Sequence, residues 1–202
     1  MFVLVESGSI TKTLSGNKGI TIGDIQYPQN IFTLWTASEK EAIGIYEVVW
    51  DNTNKKDEAY YINTNQSFDF ADGVATASYG SATAKALADA NGTDRDGVEL
   101  DPVVVIEGLK TKHKRIIKQQ ASGLLTPTDW YILKATDVES YSVPSAITTY
   151  RANVRTKSND MEVLIDACST VDELATLYKY VNTGTEENPV MERPLGEFPE
   201  AV

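Results

Sequence analysis

Leu124-Leu125-Thr126-Pro127-Thr128-Asp129-Trp130-Tyr131 is the stretch that decides how the second half of this chain folds. Pro127 stops a helix arriving from its N-terminal side, because it has no backbone N–H and its ring clashes with the preceding turn. Thr128 or Asp129 can cap the turn that follows. Upstream, Leu109, His113, Ile116, Ile117, Gln120, Ala121 and Leu124 recur at three- and four-residue steps, with Lys110, Lys112, Lys114, Arg115 and Lys118 on the remaining faces. Downstream of Pro144, the residues Ile147, Tyr150, Arg151, Val154, Ser158, Met161, Leu164, Ile165 and Cys168 keep one seam through a long helix. Long helices joined in this way pack antiparallel, so the spacing predicts a basic-backed helical hairpin with an aromatic knuckle. Thr170-Val171-Asp172-Glu173 is a capping-box spacing. It opens a short third helix with Val171, Leu174, Leu177 and Tyr178 on its buried side.

Before residue 80 the pattern differs. Phe2-Val3-Leu4-Val5, Gly19-Ile20-Thr21-Ile22, Ile45-Tyr46-Glu47-Val48-Val49-Trp50, Ala59-Tyr60-Tyr61-Ile62 and Val74-Ala75-Thr76-Ala77-Ser78-Tyr79 read as strands between Gly, Asn and Asp punctuation. Thr36-Ala37-Ser38-Glu39-Lys40-Glu41-Ala42-Ile43 reads as a short helix, with Thr36 or Ser38 as its N-cap and Gly44 ending it. Residues 51–57 form a solvated loop between two strands, residues 82–90 a helix, and residues 91–97 a linker. After Asn182 the chain holds five glutamates and one arginine among Gly and Pro, which predicts a flexible acidic tail. The expected class is α+β: a small antiparallel β-rich domain over residues 1–80, a helix and linker over 81–102, an antiparallel helical hairpin with a short third helix over 103–182, and the tail over 183–202.

The 202 residues carry a formal charge of −11, which disfavours nucleic acid and anionic membranes as partners because phosphate binding needs dense Lys and Arg. The start is too short in apolar residues for a secretory leader, and no window reaches the length a spanning helix needs. Cys168 is the lone cysteine, so neither an intrachain disulfide nor a multi-cysteine metal site can form. His113 is the single histidine and lies on the apolar face of a lysine-rich helix, the place of a satisfied rim residue more than of a base. Asp89, Asn91, Asp94, Asp96 and Glu99 are hard donors. Counted from Asp89, however, the sixth position is Asp94 and the twelfth Leu100, which breaks the calcium-loop pattern. No phosphate loop or nucleophile elbow is present. The expectation is a non-enzymatic chain without metal or cofactor. Trp35, Trp50 and Trp130 belong in a core unless exposed, in which case they mark an interface.

Two segments carry a resemblance. Phe32-Thr33-Leu34-Trp35-Thr36-Ala37-Ser38-Glu39-Lys40-Glu41-Ala42-Ile43-Gly44-Ile45-Tyr46-Glu47-Val48-Val49 resembles the N-terminal signature of bacteriophage tail-fibre assembly and tail-associated proteins, where a short acidic helix leads to a glycine and a strand. Leu124-Leu125, Thr128-Asp129-Trp130-Tyr131 and Tyr150-Arg151 resemble the C-terminal helical module of the same group, in which a Leu-x-x-Thr-Asp-Trp pattern precedes a Tyr-Arg helix. The resemblance implies a phage protein that binds other proteins, either retained in the virion tail or acting in the host cytoplasm during assembly. The β-rich block over residues 59–79 and the Glu/Pro tail exceed what a minimal assembly chaperone requires, which favours a virion structural or adaptor component.

The expected contacts are Asp129, Trp130 and Tyr131 at the knuckle and Lys110, Lys114 and Lys118 along the back of the first helix. The expected partners are tail or tail-fibre proteins, and a homo-oligomer stays open. So do two other functions: an assembly chaperone absent from the finished particle, and a glycan-binding or glycan-cleaving accessory using carboxylate pairs such as Asp69 with Asp72 or Asp129 with Asp137.

Overall fold

Phe2-Val3-Leu4-Val5 is apolar at four successive positions, which suits a strand only where both faces are covered. In the computed structural model, which describes residues 1–202, this run forms β1 (Phe2–Glu6) in a unit spanning Met1–Thr83. The unit continues with β2 (Ser9–Leu14), β3 (Ile20–Ile22), β4 (Ile25–Tyr27), α1 (Ile31–Leu34), α2 (Ala37–Glu41), β5 (Ile45–Asp51), β6 (Tyr61–Ile62), β7 (Ser67–Ala71) and β8 (Val74–Ser78). Its main sheet has the order β2-β1-β5-β8-β7. The expected antiparallel pairing holds everywhere in that sheet except between β5 and β8, which run parallel.

Side chains alternate across β1 and feed two cores. Phe2 and Leu4 join Leu14, Ile20, Ile31, Phe32 and Ile45 on one face. Val3 joins Val48, Ala75 and Ala77 on the other, with Val5, Ile10, Phe68 and Phe70 against it. Ile10 of β2 and the phenylalanines of β7 meet in that second cluster, so the sheet curls until its two edges approach.

Several elements of this unit differ from the sequence expectation. Strands β2 and β7 were not foreseen, and each is folded back on its neighbour by a tight turn. Ser7-Gly8 and Asp72-Gly73 have positive φ at both positions, the backbone of a type I′ hairpin whose twist matches the strands. β4 and α1 were also unforeseen, and of residues 59–62 only Tyr61–Ile62 is extended. The short acidic helix is where the sequence placed it. Thr36 accepts from Glu39 N while Glu39 accepts from Thr36 N, a closed capping box. Lys40 is buried with its Nζ 4.7 Å above the Phe2 ring.

The second unit spans Ala84–Val202. Past β9 (Thr83–Ala84) it comprises β10 (Ala90–Asn91), β11 (Val105–Ile106), α3 (Leu109–Leu125), α4 (Asp129–Asp137), α5 (Ser145–Ala167), α6 (Val171–Leu177), β12 (Val181–Asn182) and β13 (Met191–Glu192). The helix expected over residues 82–90 does not form, because its polar groups serve the start of α3 instead. Leu109 N donates to Ala86 O (2.9 Å) and Lys110 N to Leu87 O (3.1 Å). The Asp89 carboxylate accepts from Gly108 N (2.8 Å) and Thr111 Oγ1 (3.0 Å). These bonds satisfy donors that a helix N-terminus leaves unpaired. Residues 91–97 are likewise no loose linker: β10 pairs with β11, and Asp94 Oδ1 accepts from Asp96 N and Val98 N, both at 2.9 Å.

α3 and α5 pack antiparallel, as their seams require. Leu109, Ile117 and Ala121 are buried from α3, and Ile147, Tyr150, Arg151, Val154, Ser158, Met161 and Ile165 from α5. Ile116 and Leu164, expected on the buried seams, stand at the exposed margin. α6 begins at the foreseen capping box of Thr170 and Glu173.

The segment after Asn182 is not left loose. β12 and β13 close a small hairpin, Leu195 is fully buried with its N–H on Leu177 O (3.0 Å), and Phe198 packs against Ala121, Tyr150 and Val154. Two apolar anchors in an otherwise acidic tail are enough to dock it. No helix of the chain is long and apolar enough to cross a membrane.

Gly44 has φ +81°, and a Cβ there would stand 2.6 Å from Val5 O. Gly23 has φ +57° with open space around it. Gly23→Ala is expected to cost about 1–2 kcal/mol from left-handed backbone alone, and Gly44→Ala distinctly more, by comparison of denaturant midpoints. His113 packs its ring 4.7 Å from that of Tyr178, and burial pushes its pKa below 6.5. The unfolded chain then binds the proton more readily. The contribution of this site to stability is complete above pH 6.5 and is lost as pH falls from there towards the lowered folded value. Between pH 6.5 and 5.5 the melting temperature should fall less in His113→Gln than in the parent.

Candidate partner-binding site on the helical pair

The corner after α3 is built by one buried cation. Pro127 does not end the helical path: it lies in a single 3-10 turn, Thr126–Thr128, that joins α3 directly to α4, with Leu125, Thr126, Thr128 and Asp129 all in right-handed helical backbone. Arg151, 8 % exposed on α5, reaches into this corner. Its Nη1 donates to Leu125 O (3.0 Å), Thr128 Oγ1 (2.5 Å) and Asp129 Oδ1 (2.7 Å). Thr128 Oγ1 in turn donates to Leu125 O (2.7 Å), and the neighbouring Tyr150 hydroxyl donates to Leu124 O (3.4 Å). The carbonyls left over at the end of α3 thus find donors on α5, and the guanidinium finds a carboxylate. The two halves of the C-terminal resemblance, Leu124 to Asp129 and Tyr150-Arg151, are therefore in direct contact.

This geometry assigns different work to the expected contact residues. Thr128 does not cap α4 through its side chain; its hydroxyl is taken by Arg151 and Leu125. The Asp129 carboxylate is paired with Arg151 and half exposed to solvent. Asp137 closes the other end of α4, about 12 Å away along a helix axis of this length. Trp130 is 50 % exposed and stacks on Tyr131 with ring centroids 3.8 Å apart.

The basic back of α3 turns towards α5. Lys110 Nζ donates to Asp166 O (2.8 Å), Lys114 pairs with Asp166 Oδ1 (2.8 Å) and Lys118 with Glu162 Oε2 (3.2 Å). The acidic surface that these lysines meet is on the neighbouring helix. Such exposed pairs add little stability each, but their order along both helices suits only the antiparallel register.

What the sequence reading missed is the rest of α4. None of its nine residues is buried, and Ile132 and Leu133 are exposed beside Trp130. Lys134 holds its Nζ 5.9 Å from the Trp130 ring centre and 4.4 Å from that of Tyr141. The signal was legible as Trp130-Tyr131-Ile132-Leu133, four apolar residues in a row where a two-sided helix would alternate with polar ones. A helix with no fully buried residue, only Tyr131 and Ala135 half-buried, that presents a Trp and a Leu has the composition of an interface anchor. Of the other tryptophans, Trp35 is half-buried against Tyr27, and Trp50 is 40 % exposed beside Tyr79.

Elsewhere, carboxylates meet local donors. Asp89 and Asp94 bind backbone N–H groups, Asn91 donates to Glu99, and no three His, Cys, Asp or Glu side chains converge as a metal site would need. Cys168 is buried at the end of α5, where burial pushes its thiol pKa up. Compared with protein-family models, with curated proteins and with solved structures, the chain matches none.

Arg151→Met removes three hydrogen bonds at the corner. Asp129 is half exposed and can return to water, so the cost is expected at about 1–3 kcal/mol rather than that of a fully buried broken pair. Trp130→Ala should stay within about 0.5 kcal/mol of the parent. Urea melts of both variants check the contrast, and a Trp130→Ala loss as large as that of Arg151→Met would make Trp130 a core residue.

Proposed function

We propose that this chain is a non-enzymatic phage tail or tail-fibre protein that acts by protein–protein binding as a structural or adaptor component of the virion. The observation that carries the binding part is α4: a helix fixed to its neighbours by the Arg151 corner, yet offering Trp130, Ile132 and Leu133 to solvent. Helix faces of this kind dock into apolar grooves, with one or two aromatic anchors supplying most of the affinity. The phage part rests on the resemblance of the Phe32 to Val49 segment and of the Leu124 to Arg151 module to tail-associated proteins. In this reading the partner is a tail or tail-fibre protein with an apolar groove for α4. The chain resides in the virion tail after passing through the host cytoplasm during assembly, and it takes no cofactor. The acidic balance keeps it from nucleic acid and anionic membrane and leaves its contacts to shape and apolar area.

The test is quantitative mass spectrometry of purified particles beside the lysate of infected cells. A fixed ratio to tail proteins is the expected result. Particles raised with Trp130→Ala and Tyr131→Ala together should lack the chain, while the purified double variant keeps the melting temperature of the parent. Abundance in the lysate with absence from particles would instead make it an assembly chaperone.

A further inference from the structure

Val103, Val104, Val105 and Ile106 are successive aliphatic residues, each between 51 % and 59 % exposed. Such a run belongs inside a sheet covered on both faces, but β11 pairs only with β10 in a two-stranded ribbon. The phase of that pairing shows which edge is open. Gly92 N donates to Val104 O (2.7 Å), and Ala90 stands opposite Ile106. Antiparallel alternation then turns the N–H and C=O of Val103 and Val105 away from β10, towards an edge on which no strand lies. A flat apolar edge with outward backbone groups is a template for another strand, and a two-stranded ribbon gains stability from a third.

Charge selects the occupant. Residues 94–101 carry Asp94, Asp96, Glu99 and Asp101 against Arg95 alone, which makes the N-terminal end of the apolar run acidic, while Glu107 at its other end is already paired with Arg115 (3.1 Å). A second copy would bring the same carboxylates together on a chain already at −11. A strand with Lys or Arg at the matching end would place a cation beside Asp101 and its acidic neighbours. We propose that the open edge of β11 is a strand-addition site for an extended segment of a partner protein, β-branched at its centre and basic at the end that meets Asp101. Main-chain hydrogen bonds to Val103 and Val105 supply register, and Asp101 selects the basic end. The site uses neither α4 nor the phage resemblance, so its failure would leave the preceding proposal standing.

The experiment titrates the full chain into a fluorescein-labelled peptide KKVTVTVKK and its counterpart EEVTVTVEE, read by anisotropy. The basic peptide is expected to bind roughly tenfold or more tightly at low salt, with the gap narrowing as salt screens the flanks. Val105→Pro deletes one outward N–H without touching the bonds to β10, and should weaken binding roughly tenfold. Should that variant melt early, Val105→Lys keeps the N–H and sets a cation against the basic flanks, with a loss of about fivefold or more expected. Equal affinity for the two peptides, or undiminished binding by the folded variants, overturns the proposal. So does a concentration-dependent doubling of mass in sedimentation that Val105→Pro abolishes, since that would put a second copy on the edge.

Discussion

The Arg151 guanidinium is the point on which the helical unit turns. A helix that passes through a proline leaves carbonyls without donors, and the 3-10 turn there places a threonine hydroxyl and a carboxylate near them. One planar cation on the facing helix answers Leu125 O, Thr128 Oγ1 and Asp129 Oδ1 together. Lysine would be a poorer substitute, because a point charge on a flexible stem cannot hold several acceptors in a fixed fork. Fixing the corner sets the direction of α4, and with it what Trp130 and Leu133 can present.

The same economy of polar groups appears at the other end of α3. Its first-turn donors are met by Ala86 O, Leu87 O and the Asp89 carboxylate, so residues before the helix are held as an irregular cap. Gly108 permits that approach, since a Cβ there would meet the backbone of Leu87 and Ala88 at 2.4 Å. The Asp89 pKa is lowered by its bond to Gly108 N and then by that to Thr111, as expected for a carboxylate at a helix N-terminus. Between the two caps, α3 is free to commit its apolar face to α5 and its lysines to Asp166 and Glu162.

Each unit also leaves apolar surface that its own fold does not use. In the first, Trp50 and Val49 stay largely exposed on β5; in the second, α4 and β11 do. The net charge of −11 sets copies of the chain to repel one another, which opposes self-association through such surface. α4 is positioned by hydrogen bonds and β11 by a short ladder.

By itself the sequence determined the α+β class, the two long helical seams, both capping boxes and the strands β1, β5 and β8. Each is written in local spacing: Ile147 to Ile165 at helical steps, Thr36 with Glu39 and Thr170 with Glu173 three apart, Phe2 to Val5 in one apolar run. The turns at Ser7-Gly8 and Asp72-Gly73 were legible too, and reading them would have yielded β2 and β7. Tertiary structure alone decided the rest. Residues 82–90 have a helical composition, but their carbonyls are worth more to the start of α3. The acidic tail reads as soluble, but Leu195 is fully buried and Phe198 packs on Ala121, Tyr150 and Val154, residues far away in sequence. Asp129 and Lys110, Lys114 and Lys118 read as available charges until α5 lies beside them, because whether a charge faces solvent or a neighbour depends on contacts that no local spacing encodes.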